Sequence, residues 1–259
     1  MTAFFAQIGP LARRSIVRTF RRPPLVAAGL IFPLILYLFT YGGLGKAATK
    51  LPGFPTNSYA TFALGLTFAY AGIYAITVAG GQVGDDVQTG FIKRLSLTRL
   101  GTVTMLVAQL AGVTFFAILQ GVVFLGIGFA FGGHVAAGVG GAILVVAFGA
   151  FNAITLGTVG MMAALRMGSG QAVAGLFPVF MATMFLSSMN MPRDLIRAGW
   201  FRTIATYNPL SYLMEAPRSL LVHGWSAQPL LLGLLVGASI LIPSLYLTAG
   251  TLRALAVRG

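Results

Sequence analysis

Five stretches of this 259-residue chain carry no charged side chain: 23–45, 51–84, 100–165, 167–192 and 219–252. A helix needs about 20 apolar residues to cross a hydrocarbon core of about 30 Å, so each stretch is long enough for a crossing. The third runs for 66 residues and holds two, with Gly-Gly-His-Val-Ala-Ala-Gly (132–138) as the turn between them. The pattern predicts an all-α polytopic membrane protein of six transmembrane helices, over 25–43, 57–79, 103–131, 137–164, 170–190 and 228–250.

The polar stretches between predict three further elements. In residues 4–20, Phe4, Ile8, Leu11 and Ile16 fall on one helical face and Arg14, Arg18 and Arg21 on another, before Pro23-Pro24 ends the pattern. Segment 1–22 therefore reads as an interfacial helix on the membrane surface. In 84–99, Val87, Phe91 and Leu95 recur every four residues with Ile92 beside them. Asp85 or Asp86 is placed to cap this short helix, and Lys93, Arg94 and Arg99 to finish it, as the helix dipole favours. One apolar stripe on so short a helix suits the bilayer surface or a groove on another protein. In 192–224, Leu195, Ile196, Trp200, Phe201 and Ile204 lie among Arg193, Arg197 and Arg202, as in an amphipathic interfacial helix. A second helix follows, with Asn208 as cap and Pro209 as first residue, and Leu210, Leu213, Met214 and Leu220 forming its apolar face. Glu215 and Arg218 are spaced to pair, Pro217 to bend or shorten the helix, and Gly224 to end it.

Charge orients these elements. Hydrophobic residues make up 57% and charged residues 8%, against about 25% charged in a soluble domain. The formal charge of +13 sits in clusters beside the apolar runs, which is a topology signal rather than a nucleic-acid footprint. Arg13, Arg14, Arg18, Arg21, Arg22, Lys93, Arg94, Arg99, Arg166, Arg253 and Arg258 fall on one side, and Lys46, Lys50, Arg193, Arg197, Arg202 and Arg218 on the other. The excess of basic residues makes the first side cytoplasmic, with both termini inside and 84–99 as an inner loop. A basic region of some 22 residues is too long for a signal peptide.

Candidate chemistry is sparse. There is no cysteine, so no disulfide, thiolate metal site or cysteine nucleophile. Gly-Gly-Leu-Gly-Lys-Ala-Ala-Thr (42–49) lacks both the spacing of a phosphate loop and the hydroxyl after its lysine. No H-E-x-x-H, G-x-S-x-G or clustered carboxylates occur within a span, so no catalytic residue and no metal site are assigned. Asp85, Asp86, Asp194 and Glu215 all fall outside the six spans, which disfavours a self-sufficient ion-coupled secondary carrier. A non-transporting membrane scaffold is the other alternative. Gln109, Gln120, Asn152 and Gln171 read as polar glue between helices, and Gly128/Gly132 and Gly233/Gly237 as close helix contacts. Tyr70 and Tyr74 share one face of the second span, and Phe177, Met181 and Met184 one face of the fifth, deformable surfaces that suit varied hydrophobic cargo.

Two stretches carry a family resemblance. Asp86-x-x-x-Gly90-x-x-x-Arg94-Leu95-x-x-Thr98 resembles the cytoplasmic coupling region of type 2 ABC exporter permeases, particularly the daunorubicin-resistance type, although Arg99 stands where a proline is common. Asn208-Pro209-Leu210-Ser211-Tyr212, followed by Glu215 and Arg218, resembles the N-P-L-[ST]-[YH]-x-x-[DE]-x-x-R element before the last helix of such permeases, with Pro217 as a departure. The resemblance implies that 1–259 is a single type 2 ABC transmembrane domain in the cell membrane of a prokaryote. It implies a homodimer, or a pair with a similar permease, bound to two copies of a cytoplasmic ABC ATPase that holds the ATP and Mg. Asp85, Asp86, Gly90, Phe91, Arg94 and Leu95 would couple to that ATPase. Asn208, Pro209, Tyr212, Glu215 and Arg218 would belong to re-entrant helices closing the outer end. The second and fifth helices would line the dimer cavity, so Tyr70, Tyr74, Phe177, Met181 and Met184 become the expected path for a hydrophobic drug, antibiotic or lipid-like molecule.

Overall fold

The computed structural model describes residues 2–96 and 101–257. Thr98 and Arg99 of the inner connector lie outside the described residues, as do Arg258 and the side chains of Phe4, Lys93 and Leu95. In chain order the helices are α1 (Thr2–Phe20), α2 (Pro23–Ala48), α3 (Tyr59–Gln88), α4 (Phe91–Ser96), α5 (Thr102–Ala130), α6 (Gly138–Met167), α7 (Gly170–Ala174), α8 (Phe177–Phe185), α9 (Gly199–Tyr207), α10 (Pro209–Val222) and α11 (Ala227–Val257). A 3-10 turn, Arg193–Leu195, precedes α9.

Five of these, α2, α3, α5, α6 and α11, are long and apolar enough to cross a membrane. Where the sixth continuous crossing was expected, at 170–190, the chain forms α7 and α8 instead. Gly175 closes α7, and Pro178 lies in the first turn of α8, where its missing N–H needs no partner. At about 1.5 Å per residue, Gly170–Phe185 reaches only about 24 Å. The boundaries also shift: α2 runs five residues beyond the expected end at 43, and α3 nine beyond 79.

Helix α3 is the axis of the bundle, and α2, α5, α6 and α10 pack around it. Its apolar span is 94% buried, whereas those of α2 and α11 are 22% and 17% buried. Small residues let the backbones close in: a Cβ on Gly80 would sit 2.7 Å from the carbonyl oxygen of Gly160 on α6. One on Gly84 would strike the backbone of Gly170, which fixes α7 against the last turns of α3. Of the glycines expected at contacts, Gly128, Gly233 and Gly237 meet neighbouring helices, while Gly132 forms the turn after α5 with φ +76. Outward-facing Ile35, Phe39, Leu235 and Ile242 are exposed, which costs nothing where the solvent is lipid.

The helices alternate in direction, so the polar segments collect at two ends. Helices α1 and α4 gather with the last turns of α3 and α6, the first turns of α5, and Leu252 of α11. At the opposite end the turn after α5 is tied to α10 by Ala136 N–H and Ala137 N–H donating to the carbonyls of Leu221 and Leu220, each at 3.0 Å. Arg14, Arg18 and Arg22 lie at the first end and Arg193, Arg202 and Arg218 at the second, the separation expected for these six residues.

Candidate functional site

At the α1 end, Arg14, Arg18 and Arg22 are spaced at i, i+4 and i+8 and form one stripe. The stripe faces the two acids at the end of α3. Arg14 Nη2 meets Asp86 Oδ1 at 2.9 Å and Arg18 Nη1 meets the same oxygen at 2.8 Å. Asp85 Oδ2 accepts from Arg18 Nη2 at 3.0 Å and Arg22 Nη2 at 2.7 Å. Gln109 Nε2 on α5 donates to Asp86 Oδ2 at 2.7 Å. Asp86 is only 2% exposed, and a carboxylate so buried is tolerable because charged and neutral donors saturate it.

This arrangement corrects two expectations. Asp85 and Asp86 do not cap a new helix; they lie inside the last turns of α3, which continues to Gln88. Arg14 and Arg18 do not share an outward face with Arg21; they turn toward the acids and are only partly exposed, Arg13 and Arg21 are the exposed ones, and Ser15 and Thr19 are buried against α5. Ser15 Oγ donates to the Gln109 carbonyl at 2.8 Å, and Gln82 Nε2 donates to Thr19 Oγ1 at 2.9 Å, so α1 is bolted to the bundle. The i, i+4, i+8 arginines opposite an Asp-Asp pair were the signal available in the sequence.

After α3 the chain turns at Gly90, whose φ of +65 lies in the left-handed region that favours glycine. Helix α4 then folds back along the end of the bundle. Ile92 is buried, the half-buried Phe91 ring lies under the Arg14 guanidinium at 3.9 Å, and Arg94 is exposed. The connector is therefore joined through Arg14 and Asp86 to both α1 and α3.

At the other end Asn208 caps α10 as expected: its Oδ1 accepts from Leu210 N–H at 2.9 Å, and its Nδ2 donates to the Thr183 carbonyl at 2.6 Å. Pro209 opens the helix, Gly224 follows it with φ +83, and Pro217 lies within it without ending it. Tyr212 donates its hydroxyl to the Thr206 carbonyl at 2.9 Å, joining α10 to α9. The expected Glu215–Arg218 pair is replaced. Glu215 Oε2 pairs with Arg193 Nη2 at 2.6 Å, because Arg218 turns the other way into the protein. The buried Arg218 donates to the carbonyls of Phe62 (3.2 Å), Ser188 (2.6 Å) and Met189 (2.8 Å) and lies over the Phe62 ring. Burial pulls its guanidinium down to about 10, which leaves it charged at neutral pH. Gly65 makes the room, since a Cβ there would sit 2.8 Å from Arg218 Nε.

The aromatic and methionine residues expected to line a path lie inside the single chain. Tyr70 stacks on Phe32 at 5.3 Å, and Phe177 meets Phe32 edge-on at 6.3 Å. Tyr74 donates to the Leu25 carbonyl at 2.9 Å and packs on Phe116, while Met181 and Met184 are buried.

A bundle of long apolar helices with a clamped connector at one end has the architecture of a polytopic membrane protein. Residues 6–222 match the model of the ABC-2 type transporter family, and the chain belongs to that family. It is similar to a candidate transport permease, ycf38, of Cyanophora paradoxa, with 26% identity over 241 residues covering 86% of this chain and 77% of the relative. Membership makes the chain the transmembrane component of an ABC transporter rather than an enzyme in itself.

Proposed function

We propose that the chain is the permease subunit of an ATP-driven exporter, working as a pair of permeases with two copies of a separate cytoplasmic ATPase. The observation that carries this reading is the short helix α4, fastened to α1 and α3 through Arg14, Phe91 and Asp86, in a chain with no nucleotide-binding motif. A push on α4 would be transmitted to α3, the most buried helix, and so to the whole bundle. The α1 end is then cytoplasmic, and α9 and α10 close the outer end. The broken α7–α8 segment serves as the sixth crossing, aided by neighbouring chain to make up its length. The two permeases enclose a path for a hydrophobic drug, antibiotic or lipid-like molecule in a prokaryotic cell membrane, with Tyr70, Tyr74, Phe177, Met181 and Met184 exposed to it when the bundle opens.

The test is affinity purification from native membrane. The chain should bring down a Walker-motif ATPase, and Arg94→Glu, on an exposed side chain, should release it without unfolding the permease. Full retention of an active ATPase by that variant would refute the docking role of α4.

A further inference from the structure

At the α9–α10 end the chain encloses a cavity of ≈ 530 Å³, open to solvent, within the range of small-molecule sites. Its wall carries three guanidiniums, Arg193, Arg202 and Arg218, and two carboxylates, Asp194 and Glu215, with the half-buried Leu195 and Val222 among the apolar lining. The charges do not cancel locally. Glu215 is committed to Arg193 at 2.6 Å, and Asp194 is exposed. Arg202 spends Nε and Nη2 on the Ile196 carbonyl, at 2.9 and 2.7 Å. The buried Arg218 donates hydrogen bonds only to carbonyl oxygens, which satisfy three of its five N–H groups, and its carboxylate neighbour Glu215 is paired with Arg193 instead. A buried cation with no carboxylate in direct ion-pair contact, at the wall of an open cavity with apolar surface beside it, is a site for an anion that carries its own apolar group.

We propose that this cavity binds the anionic head, phosphate or carboxylate, of an amphiphilic molecule, with the head between Arg218 and Arg202 and the apolar part over the half-buried Leu195 and Val222. The inference does not depend on how the chain is energised, because the site is complete in one copy at the end remote from α4.

Hexyl phosphate is titrated calorimetrically into the purified full chain in phosphatidylcholine nanodiscs, beside hexyltrimethylammonium and inorganic phosphate. Hexyl phosphate should saturate at one per chain and bind about tenfold tighter than either comparator, as one charge-assisted pair plus the apolar contact requires. Glu215→Gln, which frees Arg193, should tighten it about threefold, and Arg202→Gln should weaken it by a similar factor. The Glu215→Gln gain is a readout that loss of folding cannot imitate. Adding phosphatidylglycerol to the discs separates the sources: competition identifies a lipid headgroup as the natural anion, and its absence identifies a soluble amphiphile. Equal binding of the phosphate and the ammonium probe, or no gain from Glu215→Gln, would overturn the proposal.

Discussion

Asp86→Asn should detach α1 from the bundle. Asp86 accepts four hydrogen bonds, two from Arg14 and one each from Arg18 and Gln109. Bonds to a charged group contribute about 1.5–3 kcal/mol each, but they are not additive. Asparagine keeps one acceptor, and the Arg14 and Arg18 side chains, 38% and 20% exposed, can recover some water. The net loss should be about 2–3 kcal/mol, or about 30- to 150-fold in the equilibrium for opening α1. Asp85 is 35% exposed and binds only Arg18 and Arg22, so Asp85→Asn should cost about 1 kcal/mol or less. Because the chain has no cysteine, Ser15→Cys provides a single thiol on the buried face of α1. Its maleimide labelling rate in detergent reports the opening equilibrium when reclosing is fast. Labelling should rise about 30- to 150-fold in the Asp86→Asn background and about fivefold or less in Asp85→Asn. Equal rates in the two backgrounds would refute the buried clamp.

Further tests follow from the packing. Gly84→Ala places a Cβ against the Gly170 backbone and should abolish the yield of folded protein, whereas Gly81→Ala, with nothing within 4 Å, should express normally by size-exclusion profile. Asn208→Ala removes a cap and the bond to Thr183 and should destabilise the chain by about 1–2 kcal/mol in reversible unfolding. Arg218→Lys loses the planar fork that reaches three carbonyls, so it should lower the thermal midpoint more than Arg197→Lys, which changes an exposed residue.

The long helices were readable because charge is excluded from hydrocarbon, so uncharged runs mark crossings almost by themselves. What the runs hide is where a helix goes once it carries charge. Helix α3 continues through Asp85 and Asp86 because their partners arrive from α1, more than sixty residues earlier, a pairing that local spacing does not contain. The same holds for Arg218: its spacing to Glu215 suggested a pair, but Gly65 and the loop at 188–189 offered it carbonyls deeper in the protein. The interruption between α7 and α8 had visible markers in Gly175 and Pro178, outweighed by an unbroken apolar composition. Capping at Asn208 was legible because it is local, depending on residues 208–210 alone. Whether Tyr70, Tyr74 and Met184 pack inward or line a cavity was not, since both placements call for the same apolar residues; the structure buries them within the one chain.

The central claim is that force enters at α4 from a separate ATPase. The most direct test places the photo-crosslinking residue p-benzoylphenylalanine at position 94, exposed on α4, and at position 200, exposed on α9, in native membranes. An adduct with a Walker-motif ATPase from position 94 and none from position 200 is the predicted result. An ATPase adduct from position 200, or none from position 94 while transport continues, would contradict the account.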